Sequence, residues 1–481
     1  MPRPGAPIWQ WSAAAIAEQV RTGACSAVAV VDAVLSRVDT VDPAINAFAI
    51  VDGEAARTAA AAVDRQVAAG QDPGPLAGVP FSVKDLVVTK GLETAYGSHI
   101  FAGHVPEHDA EAVARLRRAG AVLIGKSNTP EFGHKALTNN PRHGFTRNPW
   151  NLERSPGGSS GGAAAAVAAG LGPIALNTDG AGSARIPASA CGVLGLKPTL
   201  GLVPNELASE LFSNFINLGL NARTVGDLAL SLTAVAGPST ADPWCMSAPE
   251  VEYSPAAEPL ARLDGLRILV FRRMGNRLLD QDVERLLDAA LQRLIDAGAS
   301  VREGPEDFDW AKPAAFAAMR AYQRARLEPY AEAWWERLDP SLARALDEGR
   351  NQDLLVLQGA AAERSALYRR VQALFERYDL IVTPTVSAPP PGYDHGQDEP
   401  MWINGELAGP IRANWYGYTG PFNLTGHPAI SVPMGFTPDR LPAGFHAVGR
   451  WFDEQRLLDL AAAMELLQPW AGQFPAPVVK E

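Results

Sequence analysis

Two glycine clusters that carry serines, and one lysine in an apolar run, are the residues of this chain whose types and spacing could do chemistry. The first cluster, Ser155–Gly162, reads SPGGSSGG; the second, Asp179–Ile186, reads DGAGSARI; the lysine is Lys84, in FSVKDLVV at Phe81–Val88. A serine hydroxyl attacks a carbonyl only when a neighbouring base takes its proton. Desolvation disfavours an ammonium, so an apolar setting can lower a lysine's pKa until it serves as that base. Glycine-rich backbone supplies N–H groups that can converge on a developing oxyanion. The set suits acyl transfer. The structural alternative is that Lys84 pairs with a carboxylate such as Asp85 while the glycines only make turns.

Other chemistries fit these clusters less well. The nucleoside-triphosphate loop needs G-x-x-x-x-G-K-[ST], and no lysine follows either cluster at that place. Gly157/Ser159/Gly161 and Gly158/Ser160/Gly162 both match G-x-S-x-G, but the preceding Asn151–Pro156 (NLERSP) is not the strand that a nucleophile elbow or a dinucleotide fold requires. His104 and His108 have helical spacing with Pro106 between them, which disfavours a helix. With His99 they complete no zinc pattern, so they read as loop histidines and no metal is expected.

These residues need elements to hold them. FSVKDLVV reads as a buried strand over Phe81–Val88, and Ala163–Leu171 reads as a helix that starts at the first Gly/Ser cluster. Helical spacing marks Ala27–Val38, Glu54–Ala69, Glu107–Ala119, Asp282–Ala297 and Glu454–Leu467. Short apolar runs mark strands at Ala121–Gly125, Ile174–Leu176, Leu266–Phe271, Ser300–Arg302, Leu380–Thr383 and Ala429–Val432. Residues 129–156 read as loop, and Ala388–Tyr393 and 238–262 as surface excursions. Strands alternating with helices predict an α/β architecture around a mixed sheet.

Composition bounds the function. The 481 residues carry a net charge of −11, which argues against a nucleic-acid or acidic-membrane partner. Three cysteines, odd in number and far apart, imply no disulfide framework. Gly161–Leu176 is the longest weakly polar run and, with Pro173 inside it, a poor membrane span. The first residues lack the long apolar core of a secretory signal, so a cytoplasmic location is expected.

The block Ser155–Thr199 closely resembles the signature of the amidase signature family. GPLAGVPFSVKDL (74–86), AVLIGKSNTPEFG (121–133), TRNPWN (146–151), FNLTGHPAISVPMG (422–435) and GFHAVGRWFDEQRLL (444–458) resemble further segments of that family in the same order. The resemblance is strong over about 74–203 and weaker over most of the remainder. It implies one large α/β domain over 1–481, a mixed sheet of many strands covered by helices on both faces. It also implies a Ser–Ser–Lys triad with Ser183 as nucleophile, Ser159 as bridge after a cis Gly158–Ser159 peptide, and Lys84 as base. Ser160 is expected to hydrogen-bond the loop. Backbone N–H groups of Gly180, Ala181, Gly182 and Ser183 would hold the oxyanion, and no cofactor is implied. The family usually reads D-T-G-G-S-[IV]-R where this chain has DGAGSAR, so Ala181 adds a methyl beside the site.

The implied activity is hydrolysis of amide-type C–N bonds in a small-molecule amide, anilide or carbamate. The alternative is the glutaminase component of a tRNA-dependent amidotransferase, which shares the signature; a homodimer is left open. Substrate choice is expected from variable loops at about 129–145 and 384–423. The aromatic stretch Asn414–Asn423 (NWYGYTGPFN) suggests an aryl substrate with Trp415 and Tyr416 in contact, or else aromatics that belong to the core.

Overall fold

The computed structural model describes residues 5–206, 210–212, 214–350 and 353–476, so the two ends of the expected 1–481 domain lie outside it. Eleven strands form one mixed sheet. From edge to edge they are Phe48–Val51, Val122–Ser127, Pro80–Lys84, Ile174–Asp179, Asn217–Ala222, Leu194–Lys197, Ala429–Phe436, Pro442–Val448, Leu380–Pro384, Arg267–Val270 and Ser300–Glu303. Pro80–Lys84 runs parallel to both neighbours, and Arg267–Val270 does the same; the strands between these two groups pair antiparallel.

Alternation along the strands sends side chains into apolar layers on both faces. Ile268, Val270, Leu380 and Val382 join the main core. Leu269, Phe271 and Ile381 join a second cluster with Trp310, Leu367 and Phe422 on the other face. Burial on both faces explains why these strands read as continuous apolar runs.

The helix Gly161–Ala169 is buried along its whole length, with only glycine, alanine and valine in it. Small residues are required there. A Cβ on Gly161 would lie 2.3 Å from Thr138 Oγ1, and one on Gly162 would lie 2.4 Å from the Ala47 carbonyl oxygen. The glycines therefore let neighbouring segments close onto the first turn of the helix.

Several boundaries differ from the sequence reading. The strand expected over 81–88 ends at Lys84, because Asp85 turns back to accept from the N–H groups of Ala95 and Gly97. The helix expected from Glu107 starts at Glu111. Ala388–Tyr393 is packed in and not a surface excursion: the Pro391 carbonyl accepts from the Ser155 N–H at 2.9 Å. The helices Lys312–Trp334, Pro340–Gly349 and Leu354–Phe375, and the strands Leu194–Lys197, Asn217–Ala222 and Pro442–Val448, are additional to those expected.

Candidate active site

Lys84 closes the strand Pro80–Lys84, and Thr178 lies near the end of the adjacent Ile174–Asp179. The Gly/Ser segment 155–160 crosses above them, with a cis peptide at Gly158–Ser159. Lys84 Nζ lies 2.7 Å from Ser159 Oγ, 2.8 Å from Ser160 Oγ and 2.9 Å from Thr178 Oγ1. Ser159 Oγ in turn lies 3.0 Å from Ser183 Oγ. Lys84, Ser159 and Ser183 thus form one hydrogen-bonded line that runs from a fully buried amine to a cavity.

Burial pushes the Lys84 pKa well below its ordinary value, although the charge of Asp179 opposes the shift. Asp85 does not pair with it. That carboxylate is engaged by the Ala95 and Gly97 N–H groups, and the charge of Lys126 acts on it more strongly than that of Arg142. Ser160 does more than brace the loop, since it accepts from Lys84 and donates its own proton to the Thr178 carbonyl at 3.1 Å. Thr178 and Ser160 are the two amine contacts that sequence reasoning missed. Alternation along Ile174–Asp179 was the available signal, because it sets Thr178 on one face and its neighbours on the other.

The second glycine cluster is held from below by Asp179. Its carboxylate accepts from the Gly182 N–H at 2.7 Å and the Ala184 N–H at 3.1 Å, and pairs with the fully buried Arg185 at 2.9 Å. Burial alone would raise this carboxyl, but Arg185 holds it well below the usual carboxylate range. Arg185 also reaches the Thr419 carbonyl and Asn423 Oδ1, so the 414–423 segment is tied to the same knot. Gly182 has φ +114°, and a Cβ there would lie 2.1 Å from Thr419 Oγ1. Only glycine fits.

The expectation for the oxyanion donors needs one correction. The Gly182 N–H is committed to Asp179, so Gly180, Ala181 and Ser183 are the remaining backbone donors of the four expected. Ala181 lines the cavity, and its carbonyl accepts from Thr419 Oγ1 at 2.6 Å.

The cavity above Ser183 is bordered by Phe132, Ala181, Phe215, Met319, Arg326 and Tyr416, among others. Tyr416 therefore faces it. Trp415 does not: it is fully buried beside Ile403 and Ile411, and its Nε1 donates to the Ala388 carbonyl at 2.8 Å. The expectation for Trp415 is corrected to a core residue. Both aromatics lie in the turn between the short helices Ile411–Asn414 and Gly420–Leu424. Tyr96, Met319, Tyr322 and Arg326 were not anticipated, since they reach the cavity from segments with no chemical motif. Among the described residues no group of His, Cys, Asp and Glu is disposed to hold a metal ion, and no helix is long and apolar enough to cross a membrane.

Comparison with known proteins gives a consistent picture. The family model described as Amidase matches residues 29–458. The acylamidase of Rhodococcus erythropolis is 36% identical over 469 residues, covering 97% of this chain and 97% of that protein. A component of the glutamyl-tRNA(Gln) amidotransferase of Roseiflexus castenholzii is 36% identical over 493 residues, covering 98% of each. The crystal structure of a bacterial aryl acylamidase belonging to the amidase signature enzymes superposes with a TM-score of 0.90 at 27% identity, covering 97% of this chain and 100% of that one.

Proposed function

The chain belongs to the amidase family, and from that premise we propose that it hydrolyses amide-type C–N bonds through an acyl-enzyme on Ser183. The observation that carries this reading is the line Lys84 Nζ–Ser159 Oγ–Ser183 Oγ, with steps of 2.7 and 3.0 Å, ending at a cavity. Burial favours the neutral amine. A neutral amine has two N–H donors and one lone pair. Ser160 can only accept from Lys84, because its own proton goes to the Thr178 carbonyl. Directing the two N–H groups to Ser160 and Thr178 leaves the lone pair for the Ser159 hydroxyl. Ser159 then accepts from Ser183.

With that arrangement, Ser183 Oγ adds to the carbonyl as its proton passes to Ser159 and the Ser159 proton passes to Lys84. The oxyanion is held by backbone N–H groups of Gly180, Ala181 and Ser183. The relay runs backward to protonate the nitrogen, the C–N bond breaks, and the amine leaves. Water then enters by the same proton path and releases the acid, restoring Ser183. Side chains, backbone N–H groups and water supply every step.

The substrate is a small amide, anilide or aryl carbamate. The cavity is bordered by Phe132, Phe215 and Tyr416, and two of the similar proteins are an acylamidase and an aryl acylamidase. The 36% identity to an amidotransferase component favours a second reading, glutamine hydrolysis for a partner enzyme. Against it, the described lining of the cavity contains no aspartate or glutamate to receive the α-ammonium of glutamine. A product-release assay on the purified chain over anilides, aryl carbamates, esters and glutamine separates the two. The proposal requires amine release that disappears in Ser183→Ala. Ammonia from glutamine alone would refute it.

A further inference from the structure

Cations and no carboxylates line the described cavity, in a chain of net charge −11. Its described lining holds Lys135, Arg326 and Arg412 and no carboxylate. The three cations are not equivalent. Lys135 is neutralised by Asp339 at 2.5 Å, and Arg412 donates to the His134 carbonyl at 3.3 Å. Arg326 makes no ion pair among the described residues. Its guanidinium lies 4.8 Å from the ring centre of Tyr96 and 5.6 Å from that of Phe132. The two rings are themselves nearly parallel, at 17°. An aromatic platform of this kind fixes the plane of the guanidinium fork without consuming its charge.

Two ends of the cavity can be told apart by what borders them. Gly180 and Ala181 adjoin a mostly apolar branch formed with Phe215, Met319, Tyr416 and Pro421, where the one cation is Arg412, which donates to the His134 carbonyl. The Tyr96–Phe132–Arg326 end lies on the Ser159 side: Gly133 follows Phe132, and a Cβ on Gly133 would lie 3.3 Å from Ser159 Oγ. A group that protonates the departing nitrogen must lie beside that nitrogen. The departing amine therefore extends toward Arg326, and the acyl group occupies the apolar branch.

We infer that Arg326 recognises an anionic substituent on the departing amine, so that the substrate class is amides of carboxylate-bearing aryl amines. The inference rests on the reading of Ser159 as the group that returns the proton to nitrogen. In such a substrate the carboxylate takes no part in the bond changes. The C–N bond breaks, the nitrogen takes the proton from Ser159, and an aminobenzoate-type product leaves with its charge held by the guanidinium. The same end of the cavity disfavours amines that carry a positive charge.

The test uses 4-acetamidobenzoate and its neutral isostere 4-acetamidobenzamide in two measurements. One is calorimetric binding to Ser183→Ala, and the other is kcat/KM with the wild-type chain. A charge-assisted hydrogen bond predicts an acid-over-amide preference of about tenfold or more in both, shrinking as salt rises. In Arg326→Met the ratio falls to near one, and Arg326→Lys retains part of it, with thermal melting used to establish that both variants are folded. Turnover of both compounds with no preference overturns the anion site and leaves the hydrolase reading standing. A carboxylate preference in binding that vanishes in Arg326→Met, without turnover of either compound, supports the anion site and removes the hydrolase reading. Failure of both compounds to bind overturns the inference, as does a ratio that Arg326→Met leaves unchanged. If Arg326→Met does not fold, the wild-type ratio, its salt dependence and Arg326→Lys decide.

Discussion

Ser159→Ala and Ser160→Ala should separate by orders of magnitude, although the two hydroxyls lie 2.7 and 2.8 Å from the same amine. Distance to Lys84 does not distinguish them; the destination of each proton does. Ser160 donates to the Thr178 carbonyl, whereas Ser159 is 3.0 Å from Ser183 Oγ. Removing Ser159 breaks the proposed proton path while keeping the backbone oxyanion donors, and a positioned proton-transfer group contributes roughly 10²–10⁴-fold. Removing Ser160 leaves the Thr178 carbonyl and one Lys84 N–H without their partner, at a cost of about 1–3 kcal/mol for an unsatisfied buried group. That loss falls on stability, as a lower Tm, more than on kcat. The missing acceptor also withdraws more support from the ammonium than from the neutral amine. The Lys84 pKa should fall further, and the acid limb of the pH–rate profile should move to lower pH. The assay is kcat and kcat/KM on one anilide over the stable pH range, with melting curves for both variants. A Ser160→Ala variant as inactive as Ser159→Ala, with an unshifted limb, would refute the proton assignment.

Wild-type activity should rise with pH through the depressed Lys84 pKa, because only the neutral amine accepts a proton; a rate that falls over that limb would count against it. Lys84→Met should reduce kcat/KM for an anilide more than for a matched nitrophenyl ester, since a phenolate leaves without a proton and an amine does not. Trp415→Ala removes a wholly buried indole and its bond to the Ala388 carbonyl, so it should lose about 3–5 kcal/mol of stability and lower activity on all substrates alike. Tyr416→Ala, which opens the cavity wall, should instead raise KM for aryl substrates while small aliphatic amides change less; parallel loss on both would place Tyr416 with the core. Gly182→Ala should cut kcat by pressing a methyl onto Thr419 Oγ1 at a positive φ, and near-native kcat would show that this turn can move without consequence.

What the sequence made legible was the part of the site built from short contiguous segments. SPGGSSGG and DGAGSARI announce themselves because close packing and positive φ exclude other residues, as at Gly161, Gly162 and Gly182. Lys84 stood out because a cation in a buried strand conflicts with its surroundings, and desolvation of that cation is what the proposed chemistry uses. The sheet was legible where strands were apolar on both faces, as at Leu380–Pro384, and missed where glycine and asparagine interrupt the pattern, as at Asn217–Ala222. The cavity wall was hardly legible at all. Trp415 and Tyr416 are adjacent in the turn after a short helix, yet one is locked in the core and the other borders the cavity. Arg326 comes from a long helix with no motif, and meets Tyr96 and Phe132 only through tertiary packing. Chemistry that depends on backbone constraint leaves its mark in local spacing. The specificity proposed here depends on which distant side chains share one end of a cavity, and a pairing such as Arg326 with Tyr96 has no local spacing to betray it.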